Sequence, residues 1–503
     1  MKGALLVCGT HSDAGKSVVA AGICRWLARQ GVAVAPFKAQ NMSLNSIVTL
    51  DGAEIGRAQA MQAAAAGIEP EALMNPVLIK PSGERHSQVI VMGRPYADAD
   101  ARSYGEMKQE LRPIVARALA DLRERFDVVV CEGAGSPAEI NLRHADLTNM
   151  WLAGEADLPT VIVADIDRGG VFASLYGTLA LLNPADQAHV AGFVINKFRG
   201  DQSLLAPGLD DLERLTGRPT IGVLPFAENL WLDVEDSLAL DARRPELPAI
   251  GRDSLDVAVI RLRWISNFTD ADALSAEPGV RVRFTRSPAD VARADLVIVP
   301  GTKATVEDLE RLRADGLDRA LIARAAEGDP ILGICGGYQL LGRSIEDEVE
   351  SRRGRVDGLG LLPVVTRFQP TKILRRRTGR SPWLGTEASG YEIRHGRVER
   401  LGGDPLIEDE GCVEGCVIGT SWHGALEHDH FRRALLQHVA DLRQRRFEPG
   451  TEPFAARRSE RLDVVGDLIA DHLDTGRLTA LIERGAPTDL PLVTTEVRPC
   501  CVS

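Results

Sequence analysis

Short apolar, β-branched runs alternate with amphipathic helical segments along almost the whole chain. Segments with helical periodicity, such as residues 17–30 and 104–125, separate consecutive runs. Runs that are apolar throughout are typical of strands buried on both faces, and parallel strands need a crossover helix between them. The alternation therefore predicts a doubly wound α/β fold. In the first half of the chain, the runs predicted as strands are residues 4–8, 32–36, 127–131, 160–164, 190–195 and 220–224.

A break in this alternation divides the chain. Residues 241–253 are rich in proline and charge and have no periodicity, as is typical of a linker. We therefore predict two doubly wound α/β domains, at 1–240 and 254–447. Residues 448–503 remain a tail of unassigned role with one helical stretch at 461–473. In the second domain, the runs predicted as strands are residues 257–260, 280–284, 296–299, 331–334 and 416–421.

The net charge of the chain limits the kinds of molecule that it can bind. The chain has 503 residues, with 59 Lys and Arg against 71 Asp and Glu, and a formal net charge of −12. A chain this acidic is a poor general binder of nucleic acid or anionic membranes, and no stretch approaches the roughly 18 apolar residues of a membrane span. The eight cysteines are scattered, unlike those of a disulfide scaffold. These features predict an enzyme of the reducing cytoplasm that binds neither nucleic acid nor membrane.

A phosphate-binding loop follows the first predicted strand. Residues 9–17 end in Gly-Lys-Ser and lead into a helix, although Thr10 stands where a strict P-loop has its first glycine. In such a loop, backbone N–H groups at the helix N-terminus surround phosphates, Lys16 neutralises β/γ oxygens and Ser17 ligates Mg²⁺. A glycine-rich turn with an exposed lysine is the alternative. The candidate nucleotide-binding residues of the loop are Thr10, Asp13, Ala14, Gly15, Lys16 and Ser17.

Further candidates for the nucleotide site lie outside this loop. Glu132 stands at the carboxyl end of a predicted strand, where α/β sheets bind ligands, and is a candidate metal ligand. Asp51 is a second candidate metal ligand, with a turn aspartate as the alternative. Asn196 and Lys197 follow another predicted strand and resemble a base-recognising Asn-Lys pair, and a strand-end cap is the alternative.

A cysteine nucleophile is indicated in the second domain. An apolar strand stops at Cys335, and two glycines precede the helical run that follows. This pattern is typical of a nucleophile elbow, in which a strained turn presents the thiol and helix N–H groups line an oxyanion hole. Cys335 is therefore the candidate nucleophile and Gly336 a candidate oxyanion residue, whereas a buried inert cysteine is the alternative.

The other groups that such a nucleophile needs come from distant parts of the same domain. A thiol requires a base, and His423 ends a predicted strand late in the domain. Glu427, four residues further on, is the nearest carboxylate that would orient His423. Gly301 follows the strand at 296–299 and is a candidate second oxyanion donor, although a tight turn explains it equally well.

Two of these motifs resemble known families. Gly333, Cys335, Gly337 and Gln339 have the G-x-C-x-G-x-Q spacing of class I glutamine amidotransferases, and the loop at 9–17 resembles that of dethiobiotin-synthetase-type P-loop ligases. In this order the two closely resemble the cobyric acid synthase family of cobalamin biosynthesis, over nearly the whole chain to about residue 447. The resemblance implies a P-loop NTPase-type parallel sheet followed by a class I glutamine amidotransferase-like domain, with Gln339 in its glutamine pocket. Three further strings carry the resemblance, at residues 40–46, 54–59 and 390–393.

The resemblance implies an ATP- and glutamine-dependent carbon–nitrogen ligase. Its substrate would be the corrinoid adenosylcobyrinic acid a,c-diamide, amidated on the b, d, e and g side-chain carboxylates, with ATP and Mg²⁺ as cofactors. ATP would convert each carboxylate into an acyl phosphate, and Cys335 would release ammonia from glutamine. Ordinary triad amidotransferases carry His-x-Glu, whereas here Ala425 stands in the place of that glutamate, so the third member of the triad stays open.

Basic residues near the nucleotide loop are candidates for contacts with the corrinoid carboxylates, namely Lys38 and Arg57. A basic run at 372–377 is interpreted as a solvated loop rather than a patch that attracts the corrinoid. Two other functions fit parts of the chain. One is a cobyrinic acid a,c-diamide synthase, against which the string at 40–46 argues. The other is a ParA/MinD-like ATPase switch with a glutamine-sensing domain, against which Thr10 and the lack of an amphipathic anchor argue.

Overall fold

The computed structural model describes residues 1–84, 86–227 and 246–493. The chain folds into two α/β units, as predicted, and each contains a six-stranded sheet. The first unit contains β1 (Gly3–Gly9), α1 (Lys16–Arg29), β2 (Val34–Phe37), β3 (Gln40–Met42), β4 (Ser46–Val48), β5 (Glu54–Gly56), α2 (Arg57–Ala65), β6 (Val77–Pro81), β7 (Ser87–Val91), β8 (Arg94–Ala99), α3 (Ala101–Arg125), β9 (Val128–Glu132), α4 (Met150–Ala156), β10 (Thr160–Asp165), α5 (Val171–Ala180), α6 (Pro184–His189), β11 (Val190–Phe198), α7 (Ala206–Thr216) and β12 (Thr220–Pro225).

The first sheet is entirely parallel, with the strand order β12-β11-β10-β1-β9-β2. Every run predicted as a strand in this half is present, with ends shifted by at most three residues. Side chains of β1 alternate between two hydrophobic clusters, with Leu6 in one and Leu5 in the other, because both faces of the sheet are covered. The carboxyl ends of the parallel strands meet at one edge, which carries the loop after β1.

An insertion of short, mostly antiparallel strands between β2 and α3 was not predicted; within it β3 pairs parallel with β6. In it, β3, β6, β7 and β8 form a four-stranded sheet, and β4 pairs with β5 as a hairpin. These strands are three to six residues long, too short to produce the long apolar runs by which buried parallel strands are recognised. The insertion contains residues 40–46 and 54–59, which carry part of the family resemblance.

The second unit repeats the α/β architecture. Its sheet has the order β15-β13-β16-β18-β24-β23 and is parallel except for the edge strand β23. The unit contains β13 (Leu255–Ile260), β14 (Ile265–Ser266), α8 (Asp272–Ser275), β15 (Val280–Thr285), α9 (Pro288–Arg293), β16 (Leu296–Val299), β17 (Gly301–Thr302), α10 (Thr305–Ala314), α11 (Leu317–Glu327), β18 (Ile331–Ile334), α12 (Gly336–Leu341), β19 (Ser344–Asp347), β20 (Gly354–Asp357), β21 (Val364–Ser381), β22 (Thr386–Arg400), β23 (Cys412–Glu414), β24 (Val417–Thr420) and α13 (Asp429–Leu442).

A long hairpin, β21 with β22, extends from the second unit to the first. The basic run at 372–377 lies within β21, so its interpretation as a solvated loop is wrong. The Lys372 side chain is buried, and its ammonium donates to Glu54 at 2.6 Å and to Gln88 at 3.1 Å, both in the insertion of the first unit. The negative charge of Glu54 across the contact makes burial of the Lys372 ammonium possible.

The C-terminal segment returns to the first unit. Its two helices are α14 (Phe454–His472) and α15 (Thr475–Arg484). The α14 helix packs on α1, where Arg25 Nε and Asp463 Oδ1 lie 2.9 Å apart, and Gly222 of β12 forms a β-bridge with Leu473. The predicted helical stretch is therefore present and longer, and the residues described as a separate tail pack against the helix that follows the phosphate-binding loop.

Part of the predicted linker, residues 241–245, lies outside the described residues, and 246–253 form neither helix nor strand. In the described part of the chain, no helix is both long enough and apolar enough to cross a membrane.

The contact between α14 and α1 should contribute measurably to stability. Ile469 is fully buried in the hydrophobic cluster that contains α1, whereas Val464 on the same helix is 44% exposed. We expect Ile469→Ala to lower the free energy of unfolding of the first unit by about 2–5 kcal/mol, because it leaves a cavity. Val464→Ala should change it by less than about 0.5 kcal/mol. Urea unfolding of both variants measures the difference, and equal effects would contradict this packing.

Candidate active sites

The loop after β1 has the geometry of an anion-binding site. Gly15 immediately precedes α1 and has φ 100°, and a Cβ there would overlap the side-chain amide of Asn196. Glycine is therefore required at position 15 by its positive φ and by the close approach of the Asn196 side chain. Among the residues that the structure describes, no side chain caps the first turn of α1, so the N–H groups of this turn can donate to phosphate oxygens.

The lysine of this loop is held within it. Lys16 is buried, and its Nζ donates to the carbonyl oxygens of His11 at 2.9 Å and of Gly135 at 3.2 Å. Thr10 Oγ1 lies 2.9 Å from His11 Nδ1, and the Thr10 N–H donates to β10. The ammonium of Lys16 is thus fixed between the loop and the segment after β9, where it can neutralise phosphate charge.

Glu132 lies next to Ser17, as two ligands of one metal ion should. Ser17 Oγ donates to Glu132 Oε1 at 2.8 Å, Lys38 Nζ donates to the same oxygen at 2.9 Å, and Gln62 Nε2 donates to Oε2 at 2.5 Å. Burial acts to raise the pKa of Glu132, but the charge of Lys38 and the three hydrogen bonds outweigh it and lower the pKa. The carboxylate is therefore ionised. A hydroxyl and a carboxylate oxygen are ligands that fit Mg²⁺, so Ser17 and Glu132 would hold it.

Two of the residues proposed from sequence lie elsewhere than expected. Asp51 is exposed in the turn between β4 and β5 and accepts a hydrogen bond from Thr49, and no contact joins it to Ser17 or Glu132 among the described residues. Lys38, predicted to contact substrate, instead neutralises Glu132. Within the described ranges, no group of three or more His, Cys, Asp or Glu is arranged to hold a metal ion.

Asn196 and Lys197 support the phosphate loop from the end of β11. Asn196 Nδ2 donates to the Ala14 carbonyl at 3.1 Å, and Lys197 Nζ donates to the Asp13 carbonyl at 3.0 Å. Lys197 also pairs at 2.8 Å with Asp165, a buried carboxylate at the end of β10 that sequence reasoning missed. The sequence did indicate Asp165, because this residue directly follows the predicted strand at 160–164, and the carboxyl ends of such strands form the ligand-binding edge of the sheet. The role of Asn196 and Lys197 toward a base stays a prediction.

Cys335 occupies a strained turn between β18 and α12. Its φ is 50° and its ψ −106°, a conformation that side-chain-bearing residues rarely adopt. The Cys335 N–H donates to the Thr420 carbonyl of β24 at 2.7 Å, and a Cβ at Gly337 would overlap the backbone of Val299. The glycine lets α12 pack directly on β16, so the thiol is held at the carboxyl edge of the second sheet.

His423 and Asp270 complete a Cys-His-Asp arrangement. His423 is close enough to Cys335 for the sulfur to act on its charge, and the Cys335 Sγ itself lies 3.8 Å from the Ile393 carbonyl oxygen. His423 Nδ1 lies 2.7 Å from Asp270 Oδ2, while Asp270 Oδ1 accepts the Gly424 N–H at 2.7 Å. The carboxylate beside His423 is therefore that of Asp270. Glu427, proposed for this position from its nearness in sequence, instead pairs with Arg57. Asp270 is 153 residues from His423 in the chain, and no spacing pattern in the sequence pointed to it.

The charges around His423 favour its protonated form. Burial acts to lower the pKa of His423, but the Asp270 carboxylate and the Cys335 sulfur raise it to about 10. An imidazolium held against a thiol stabilises the thiolate, which is the nucleophilic form of cysteine. The arrangement can therefore attack an amide carbon and then donate a proton to the nitrogen that leaves.

The predicted oxyanion and glutamine residues surround this centre. A Cβ at Gly301 would lie 2.7 Å from His423 Cε1, which places β17 directly against the imidazole. Gly336 and Gln339 line the same cavity as Cys335, and Gln339 Oε1 accepts a hydrogen bond from Thr305 at 3.4 Å. The Lys303–Glu350 ion pair lies on another wall of this cavity. The roles of these residues toward glutamine remain predictions.

The two units together define a class of enzyme, the glutamine-dependent ligases, in which one domain binds nucleotide and the other hydrolyses glutamine. Residues 5–238 match the family model described as CobQ/CobB/MinD/ParA nucleotide binding domain. Residues 256–431 match the model described as CobB/CobQ-like glutamine amidotransferase domain.

Full-length relatives narrow the class further. The chain is 59% identical to a cobyric acid synthase of Frankia casuarinae, over 98% of this chain and 99% of that protein. It is 60% identical to the one of Streptomyces coelicolor, with coverage of 98% and 99%, and 56% identical to the one of Rhodococcus jostii, with coverage of 98% for both. The chain belongs to the cobyric acid synthase family, which confirms the resemblance found in its sequence.

Proposed function

We propose that the chain uses ATP and glutamine to amidate the b, d, e and g side-chain carboxylates of adenosylcobyrinic acid a,c-diamide. The observation that carries the proposal is that a Cys-His-Asp centre and a phosphate-binding loop with a Ser17–Glu132 pair occur in one chain of this family. The relatives are named for cobyric acid, and the match with them covers both units.

In the first unit, the chemistry begins with activation of a carboxylate, which is a poor acyl donor. A carboxylate oxygen attacks the γ-phosphorus of ATP, ADP leaves, and an acyl phosphate forms. Lys16 and the first-turn N–H groups of α1 stabilise the charge on the transferred group. Mg²⁺ bound by Ser17 and Glu132 would supply further neutralisation of phosphate charge. Ammonia then attacks the acyl carbon, loses a proton, and displaces inorganic phosphate to leave the amide.

In the second unit, glutamine supplies that ammonia. The Cys335 thiolate attacks the side-chain amide carbon, and N–H groups near Gly336 and Gly301 stabilise the oxyanion. His423 donates its proton to the leaving nitrogen, the C–N bond breaks, and a glutamyl thioester remains. His423 then takes a proton from water, which attacks the thioester and releases glutamate. Asp270 orients His423 and stabilises its charged form.

Isotope transfer tests the proposed reaction. The purified chain is incubated with ATP, Mg²⁺, the corrinoid and glutamine labelled at its amide nitrogen, and the corrinoid is analysed by mass spectrometry. We expect label in four new amide groups, with one ATP consumed per amide, and no ATP consumption when Mg²⁺ is omitted. In a parallel incubation with cobyrinic acid, label confined to the a and c positions would instead favour a diamide synthase. ATP hydrolysis that does not depend on corrinoid would favour the ATPase switch.

A further inference from the structure

An ion pair joins the two units next to the candidate triad. Arg57 is the first residue of α2 in the first unit, and its guanidinium lies 2.5 Å from Glu427 Oε1 in the second. Arg57 is almost fully buried, and Glu427 ends the short helix Ala425–Glu427 that follows His423 and Gly424. An arginine buried across a domain boundary therefore contacts the segment that carries the catalytic base.

Tyr391 provides a second contact between α2 and this segment. The backbone of Tyr391 exchanges two hydrogen bonds of 2.9 Å with the backbone of His423, and their rings lie 5.8 Å apart. Arg57 also hydrogen-bonds to the Tyr391 side chain. Tyr391 and Ala60 of α2 belong to one buried hydrophobic cluster. The position of the segment that carries His423 is thus set on one side by residues of α2.

The same helix reaches the phosphate-binding site. Gln62, five residues after Arg57, donates to Glu132 Oε2 at 2.5 Å, and Glu132 accepts from Ser17 through its other oxygen. A nine-residue helix is only about 13 Å long, and its internal hydrogen bonds make it move as one piece. One helix therefore contacts the candidate metal ligand and, through Glu427, the segment of the candidate base.

The polar face of α2 is incompletely satisfied. Gln59 Nε2 and Gln62 Oε1 are buried and have no hydrogen-bond partner among the described residues. Unpaired buried amide atoms cost free energy, so the hydrogen bond from Gln62 to Glu132 leaves part of the polar surface of α2 unsatisfied.

We propose that α2 couples the two sites, with Gln62 responding to the state of Glu132 and Arg57 acting through Glu427 and Tyr391 as a positioning residue for His423. The inference rests on the proposed function, because coupling has a purpose only if ammonia released at Cys335 serves the first unit. A ligand that draws Glu132 away from Gln62 shifts α2, and the shift changes the alignment of His423 with Cys335. Glutamine is then hydrolysed efficiently only when the nucleotide site is loaded.

The first test measures the reactivity of Cys335 in the absence of nucleotide. Iodoacetamide alkylation is followed by mass spectrometry of the peptide that contains Cys335, as a function of pH. We expect Arg57→Ala and Glu427→Gln each to slow alkylation near neutral pH by about tenfold. The charge swap Arg57→Glu with Glu427→Arg should recover most of the loss. Arg57→Lys keeps the charge and should retain part of the rate.

Two comparisons decide the outcome. Arg281→Ala removes an exposed ion pair with Asp256 in the second unit, away from α2, and should alkylate like the unmodified chain. Thermal unfolding of each variant shows whether it is folded, and if Arg57→Ala is unfolded, the charge swap and Arg57→Lys carry the test. Alkylation at the unmodified rate in Arg57→Ala, or no recovery in a folded charge swap, would overturn the role of Arg57.

The second test addresses the coupling itself. Addition of Mg²⁺ and ATP is expected to accelerate Cys335 alkylation severalfold in the unmodified chain, and Gln62→Ala should abolish this acceleration. Acceleration that persists in Gln62→Ala, or none in the unmodified chain, would overturn the coupling. If ammonium-driven amidation of the corrinoid fails in the unmodified chain, the proposed function is wrong, and the alkylation rates without nucleotide still decide the role of Arg57.

Discussion

Cys335→Ala is expected to abolish glutamine hydrolysis, by about 10⁴-fold or more, and to leave amidation driven by ammonium salts intact. The thiol is the atom that forms the thioester, and no other cysteine among the described residues is held at a strained strand-to-helix turn beside a histidine. The acceptor chemistry takes place in the other unit, so free ammonia can bypass the missing nucleophile. Glutamate release and corrinoid amidation, measured in parallel, separate the two activities.

Cys416→Ala is the matched control. Cys416 is a partly exposed thiol in the same domain, and its Sγ contacts the Ala325 carbonyl rather than a histidine. Its replacement should leave both activities unchanged. Glutamine hydrolysis that survives in Cys335→Ala would contradict the assignment of this activity to Cys335. Loss of ammonium-driven amidation in a folded Cys335→Ala variant would contradict the assignment of amidation to the first unit.

Asp270→Asn is expected to lower kcat for glutamine hydrolysis by about 10²- to 10⁴-fold while the fold is kept. The amide removes the negative charge that raises the pKa of His423, whereas burial continues to lower it. The pKa therefore falls from about 10, His423 is neutral over more of the pH range, and the thiolate loses its partner. Alkylation of Cys335 should accordingly slow near neutral pH and recover only at higher pH.

Comparison with Glu427→Gln discriminates between the two candidate carboxylates. That variant loses the pair with Arg57 but leaves Asp270 on His423, so its loss of activity should be far smaller. Alkylation of Cys335 as a function of pH is measured for both Asp270→Asn and Glu427→Gln. If Glu427→Gln were the more damaging change and Asp270→Asn nearly silent, Asp270 would not be the orienting carboxylate.

The parts of the protein that could be predicted from sequence are those whose determinants are close together in the chain. The six parallel strands of the first sheet and the five of the second are recognisable by local hydrophobicity, and the loops at Lys16 and Cys335 are each a short strand–glycine–helix string. Position at the carboxyl end of a parallel strand was also sufficient to select Glu132, which lies against Ser17. The same rule applied to β10 would have selected Asp165.

The partners of Lys38, Glu427 and Arg57 were missed because they lie in distant segments of the chain. Lys38 was expected to face substrate, but folding places it 2.9 Å from Glu132. Glu427 was chosen because it is near His423 in sequence, whereas the carboxylate that reaches His423 comes from the helix Phe268–Ala271. Arg57 and Glu427, assigned separately to substrate and triad, contact each other across the domain boundary.

By itself the amino-acid sequence determined the fold class, the two loops and the family, because hydrophobic periodicity and glycine placement act over a few residues. Only the tertiary structure decided which charged groups are partners, that α14 packs against α1, and that one short helix contacts both Glu132 and the segment that follows His423. A buried charge is stable only beside a complementary group, and which group arrives there depends on how distant strands are ordered in the sheets.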